Sequence, residues 1–433
     1  MLAWFRALSR LQQALLIVCL LAVCVHAGVV AFRRTYTIGD FDIHREFGRR
    51  FLSGEPLYDG GLCYNYMPIN ALFHAPLALV PAPLAALLRY TAALVCLGLS
   101  LGWLRRMTPE QARGASIAVI FTLFLTSHYV LRDLEDSGSH LLFLAMLVGG
   151  IYAAWLGRHA LAGASLGLAI ALKMTPGLLL PFLVWKRHWR LLAWTSAATC
   201  LWIALPIVRM GPACWWQHQR QWNEVVIQTF RDGANPANEG NDVRVQNQSL
   251  RLAFQHALTV YPPGHPLRVE SGPHFTLFDL EPSSARFLAT MGLLAVLAAF
   301  CLNSRGAYRQ PADPAWVVDA LGLMLLMLLI SPVTWVQHLV WAVPAAYLVV
   351  SADWQRRRWG KAAFAFLALF AVGALVLNRG LVGKDIYFWL LANHLHAVCL
   401  IILLALMAWL RRGVGVDRGQ DGVTTRPTNL RAA

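Results

Sequence analysis

A succession of apolar stretches, most of them near the length that crosses a bilayer and separated by short basic gaps, leaves this chain few folds to adopt. The stretches lie near 14–32, 84–104, 115–131, 139–156, 191–209, 285–302, 315–330, 336–351, 362–378 and 391–410. In hydrocarbon every backbone N–H and C=O must find a partner within the protein, so each such stretch has to be helical. A perpendicular span needs ~20 residues. Composition agrees with the pattern: 58% of the 433 residues are hydrophobic and 14% charged, against about 25% charged in soluble domains. The expected class is an all-α polytopic membrane protein. The first stretch follows Arg6 and Arg10 but is longer than an export core and lacks a small-residue cleavage site, so it reads as a retained helix.

The basic residues carry the topology. A net charge of +15 suggests nucleic acid until its placement is considered: Arg and Lys sit in the gaps, which is the positive-inside signature. The stretch 160–185, "ALAGASLGLAIALKMTPGLLLPFLVW", decides the count. A single crossing there would put "KRHWR" (186–190), Arg305 with Arg309, "RRRWGK" (356–361) and "RR" (411–412) outside. A hairpin that enters and returns, with Lys173-Met174-Thr175-Pro176 at its apex, keeps every cluster inside, and Pro176 breaks helix geometry at the turn. The reading is therefore about twelve membrane segments, two of them short, in one domain over 1–412. Both termini would be cytoplasmic, with polar outer regions at 34–67 and 210–284 and a disordered tail at 413–433. The short gaps 132–138, 331–337 and 379–390 face the same outer side.

Several polar groups stand out against this background. In "GDFDIHREFGRRFLSGEPLYDG", Ile43, Phe47 and Phe51 recur every four residues, the stripe of a short amphipathic helix at the outer leaflet. Asp40 and Asp42 each have two readings, as helix caps or as a general base that takes a proton from a sugar hydroxyl. Lys173, inside an apolar hairpin, either snorkels to the surface or faces a polar cavity where its cation would suit a phosphate. In "SPVTWVQHLVW" (331–341), His338 is either a satisfied structural histidine or a donor to a phosphate oxygen. "NQSL" (247–250) formally matches a glycosylation acceptor. Trp215, Trp216 and Trp222 read as interfacial anchors rather than sugar-stacking platforms. Cys63 and Cys214 are the two cysteines in outer loops, and a pairing between them is open. No phosphate loop, dinucleotide fingerprint or HExxH occurs, and no carboxylate cluster calls for a metal. No cofactor is expected, and a lipid-linked substrate fits better than a soluble nucleotide.

Five stretches in order along the chain resemble the polytopic GT-C glycosyltransferases, and among them glycosyltransferase family 87, the polyprenyl-phosphate-mannose-dependent α-mannosyltransferase type. They are "GDFDIHREFGRRFLSGEPLYD" (39–59), "YNYMPINALFHAPLALVP" (64–81), "ALKMTPGLLLPFLVWKRHWR" (171–190), "NQSL" (247–250) and "SPVTWVQHLVW" (331–341). The resemblance implies a GT-C-like helical bundle in the plasma membrane, acting in cell-envelope synthesis from its outer face. It implies Asp40 as catalytic base with Asp42 as runner-up, and Lys173 with His338 at the donor phosphate. Tyr58, Tyr66, Asn247, Ser249 and Trp335 become substrate-pocket candidates. The implied partners are a polyprenyl-phosphate sugar, a lipid or glycan acceptor and membrane lipid, without nucleic acid. The implied reaction is hexosyl transfer, mannosyl first, with inversion. Two departures are visible: Gln337 stands where the family has a first histidine, and "EDSGSH" (135–140) replaces a Gly-Gln-x-Asn element. A twelve-segment sugar or lipid-linked-sugar carrier is the competing reading.

Overall fold

The apolar stretches fold as helices, with breaks where the sequence supplies proline, glycine or a lone charge. The computed structural model describes residues 9–33, 39–58, 65–108, 115–136, 138–228, 246–261, 275–306, 308, 312–356 and 361–420, and among these there is no strand. The first helices are α1 (Arg10–Arg33), α2 (Asp40–Ser53), α3 (Pro68–Ala78), α4 (Ala82–Met107), α5 (Ala115–Glu135) and α6 (His140–Trp155). α7 (His159–Leu172), α8 (Leu179–Trp185), α9 (Trp189–Ala204), α10 (Pro212–Trp222) and α11 (Leu250–Leu258) follow. The chain closes with α12 (Pro282–Asn303), α13 (Pro314–Ile330), α14 (Val343–Arg356), α15 (Lys361–Val376), α16 (Lys384–Ala392) and α17 (Leu395–Gln420). α17 runs past residue 412, and the remainder of the expected tail, 421–433, lies outside the described residues.

Proline opens α3, α10, α12 and α13 at the first turn, where its missing N–H costs no helical bond. Asp313 caps α13 by accepting from the Ala315 N–H at 2.9 Å. Every residue of α13 from Ala315 to Leu329 is buried, which makes it the central helix of the bundle. α12 is the opposite case: also apolar, it leaves Phe287, Leu288, Met291, Leu294 and Leu302 exposed. Five helices are long and apolar enough to cross a membrane by length and composition: Ala82–Met107, Ile117–Glu135, Trp189–Met210, Pro282–Asn303 and Leu395–Arg412. Shorter apolar helices, among them Pro314–Ile330, His140–Trp155 and His159–Leu172, complete the core.

The stretch 160–185 does return on itself. α7 stops at Lys173, whose backbone is extended (φ −148°, ψ 119°), and a 3₁₀ turn over Thr175–Leu178 redirects the chain into α8. The ring of His159 at the start of α7 lies 5.5 Å from that of His188, just beyond the end of α8. Near that end Lys186 donates to the Ser304 carbonyl and Arg411 to that of Arg305, so three of the basic clusters gather together. Lys173 and the groups described next lie at the other end.

Candidate active site

α2 owes its position to what it buries. Phe41, His44, Phe47, Gly48 and Phe51 form its inner face against α3, a wider stripe than the four-residue repeat of Ile43, Phe47 and Phe51 announced. A Cβ on Gly48 would meet the His74 carbonyl oxygen at 2.8 Å, so the two helices approach as closely as they do because this residue is glycine. Arg45 donates to the carbonyls of Leu77 (3.0 Å) and Val80 (2.7 Å) beyond it. The His44 ring stacks on His74 at 4.3 Å, and His74 in turn meets Arg89 Nη2 at 2.8 Å. Burial first, and then the Arg89 charge, push the His44 pKa down to about 3, so this ring is neutral at physiological pH.

This clamp delivers two acids with different work. The Gly39 N–H donates to the Asp42 carboxylate at 3.1 Å, closing the helix N-terminus. Asp40 is exposed, and Gln337 Nε2 donates to its carboxylate in a long bond of 3.4 Å. Gln337 follows Ser331–Trp335, a segment braced from behind by Asn247. The Asn247 side chain accepts from the Thr334 N–H (3.0 Å) and the Ser249 N–H (3.1 Å) and donates to the Pro332 carbonyl (3.1 Å).

Lys173 is the centre of the site. Its Nζ lies 3.1 Å from Nε2 of His140 and 3.1 Å from Nε2 of His338, and 5.7 Å from the centre of the Trp341 ring. His140 passes the contact on: its Nδ1 is 3.0 Å from a carboxylate oxygen of Asp133, a residue 1% exposed. That carboxylate also accepts the backbone N–H groups of His140 (3.3 Å) and Leu141 (3.1 Å), so it caps α6 from the end of α5. His338 is fixed by the Trp335 N–H, which reaches its Nδ1 at 3.2 Å.

Lys173 and His338 open onto a cavity of about 390 Å³. Tyr66 and Trp335 share its wall with Asn65, Thr175 and Ser331, and the rest is apolar, Met174, Leu178, Trp222, Val226, Ile227, Met327 and Ile330 among it. One cation and one imidazole at the head of an apolar hollow suit an anionic head on a hydrocarbon tail.

The expected site residues therefore divide. Lys173, His338, Tyr66 and Trp335 meet at the cavity, and Asp40 is tied to the same group through Gln337. Tyr58 donates to the Tyr66 carbonyl at 2.7 Å and supports the wall from outside. Asn247 and Ser249 are buried braces, Ser249 capping α11 through the Leu252 N–H at 3.3 Å. Trp222, read as an interfacial anchor, is buried and lines the cavity. Pairing of Cys63 with Cys214 lies outside the described residues, because Cys63 does. Sequence reasoning assigned no role to Gln337, Asp133 or His140. For two of them the signal was present, since Gln337 and the "EDSGSH" that ends at His140 are the two places where the chain departs from the pattern it resembles; Asp133 precedes that element and carried no such mark.

Residues 64–332 match the family described as Glycosyltransferase family 87. That span holds Lys173, while Asp40 lies before it and His338 after it. The chain is 26% identical over 385 residues to a polyprenol-phosphate-mannose-dependent alpha-(1-2)-phosphatidylinositol mannoside mannosyltransferase of Mycobacterium tuberculosis, covering 82% of this chain and 79% of that one. It is 27% identical over 371 residues to the protein of the same description from Mycolicibacterium smegmatis, covering 77% and 73%. A Mycobacterium tuberculosis protein described as acting on the phosphatidylinositol pentamannoside is 24% identical over 301 residues, covering 69% of this chain and 61% of the relative. With more than half its length matched, through the segment that places a lysine at the head of an apolar cavity, this chain belongs to glycosyltransferase family 87.

Proposed function

We propose that this chain is an integral membrane mannosyltransferase that moves mannose from a polyprenyl-phosphate donor to a lipid or glycan acceptor, as its relatives' descriptions state for phosphatidylinositol mannosides. The observation that carries the reading is Lys173, flanked by two imidazoles on the wall of a cavity whose lining is otherwise mostly apolar. A phosphate already bonded to the sugar is its own leaving group. The protein has to bind that anion, align the sugar and take the acceptor's proton. Lys173 and His338 bind the phosphate; a preorganised donor in a dry site is worth several kcal/mol, ~3 by analogy with an oxyanion hole. Asp40 accepts the hydroxyl proton as the acceptor oxygen attacks the anomeric carbon, and Gln337 orients its carboxylate. A single displacement inverts that carbon, so a β-linked donor yields an α-linked product.

The same reading places the site on the non-cytoplasmic face, with twelve membrane segments and both termini cytoplasmic. Clustering of basic residues at the end opposite Lys173 supports it. A carrier would need its charges at the midplane between two similar halves, and family membership speaks against that reading. The test is transfer of labelled mannose from synthetic polyprenyl-phosphate mannose by purified protein. Asp40→Asn, an isosteric change at an exposed position beside the Asp42 that closes the helix, should fold and lose about 10²- to 10⁴-fold in kcat. Full activity in that variant removes Asp40 from the mechanism, and Asp42→Asn then becomes the decisive measurement.

A further inference from the structure

Asp133 and His140 lie behind Lys173, and the proposed mechanism does not use them. We propose that they form a positioning pair that presents Lys173, as an ammonium, to a phosphate oxygen in the cavity; this rests on the reading of that cavity as the donor's phosphate site.

The geometry is directional. An ionised carboxylate only accepts hydrogen bonds, so the contact between Asp133 and His140 Nδ1 (3.0 Å) puts the imidazole proton on Nδ1. The Nε2 lone pair is then fixed toward Lys173 Nζ, 3.1 Å away. One ammonium N–H is taken by His140; the Trp335 N–H occupies His338 Nδ1, so His338 Nε2 carries that ring's proton and stands beside Lys173 Nζ as a second donor, which leaves the remaining ammonium N–H groups for an acceptor in the cavity that both residues line. The Trp341 indole lies against the ammonium and its Nε1 donates to the His140 carbonyl at 3.3 Å, so the same side chain supports both partners. Among the described residues, the charged and titratable groups around Lys173 include Asp133 of α5, His140 of α6, His338 of the 3₁₀ turn Val336–Ala342, and Asp40 and His44 of α2.

Interposing an imidazole has a physical consequence. A carboxylate bonded directly to Lys173 would neutralise it and compete with the phosphate. One ring further away, Asp133 fixes the direction of the ammonium while opposing less of its field, as carboxylate–histidine pairs do behind metal ions. The plain alternative is that Asp133 only caps α6 through the His140 and Leu141 N–H groups.

Two measurements on the purified full-length protein separate these roles: equilibrium binding of a short-chain polyprenyl phosphate, and the KM values for donor and acceptor. Asp133→Asn removes the charge and leaves one acceptor oxygen for three donors, the His140 N–H, the Leu141 N–H and the ring Nδ1–H, so the ring loses the ionised partner that fixes its Nε2 lone pair toward Lys173. Polyprenyl phosphate binding should weaken roughly 10- to 100-fold, the worth of one charge-assisted hydrogen bond, with donor KM raised and acceptor KM unchanged. His140→Gln supplies a carbonyl lone pair without help from Asp133, so it should retain binding, and Asp133→Asn added to it should change little. Equal loss from Asp133→Asn in both backgrounds makes Asp133 a cap and overturns the pair. Unchanged phosphate binding in Asp133→Asn overturns it as well. If Asp133→Asn does not fold, His140→Leu against His140→Gln decides: equal binding by these two refutes the pair. Asp133-dependent polyprenyl phosphate binding without mannose transfer would keep the pair and remove the mannosyl-donor reading.

Discussion

Asp40 and Asp42 are separated by a single residue and are equivalent to any reading of composition, yet the Gly39 N–H engages only one of them as a cap. Which acid would close the helix and which would meet Gln337 depended on where α2 begins, and helix starts are weakly encoded. Lys173 was legible for the contrary reason: a charge inside an apolar hairpin needs a cavity or a partner wherever it lies. Asn247 and Ser249 were legible as polar residues but not in their role. Asn247 braces the cavity wall because the Thr334 and Ser249 N–H groups are buried and need acceptors, and Ser249 caps α11. Asn247→Ala should therefore lower thermal stability by about 1–3 kcal/mol for each N–H left unmet and raise donor KM, since Pro332 and Trp335 shape the cavity. Thermal unfolding in detergent and steady-state kinetics check this, and unchanged values for both would contradict the bracing role.

Among the elements, the hairpin of α7 and α8 does most to build the site, and its packing follows from two small residues. Gly163 and Gly167, one turn apart on α7, face α9; added Cβ atoms would lie 2.6 Å from the Trp194 carbonyl carbon and 2.8 Å from the Thr199 nitrogen. Within a bilayer, helices gain from close backbone approach because lipid tails are as apolar as leucine, so glycines four apart mark a contact face. Gly167→Val should push α9 away and destabilise the fold by about 1–3 kcal/mol, with loss of folded protein on extraction. Gly177→Ala is the control, since its new methyl meets nothing nearer than Ile170 Cγ2 at 3.9 Å. Equal melting temperatures for the two variants would contradict this account. The glycine spacing was readable in advance, but not the helix it would meet: α9 rather than α8.

At the scale of the whole molecule, two polar clusters lie at opposite ends of an apolar bundle. The Lys173 group occupies one end. At the other, Asp319 is buried on α13 and takes Lys186 (2.7 Å), Arg411 (2.8 Å) and the Tyr308 hydroxyl (2.9 Å), joining the end of α8 to α13 and α17. Asp319→Ala would leave two cations facing each other and should lower stability by about 3–5 kcal/mol, read as a drop in melting temperature. Polyprenyl phosphate affinity of the fraction that stays folded should be unaltered; a change would mean that the two ends are coupled. Charge placement alone made the hairpin predictable, because a basic residue is hard to translocate wherever the helices later pack. Helical class, the hairpin and the need of Lys173 for polar company were likewise determined by sequence, each through a local rule about one segment and its solvent. The partners of Lys173 were decided only in three dimensions. Asp133, His140 and His338 come from three segments, up to 205 positions apart, and no local preference records which helix ends will meet once the bundle has packed.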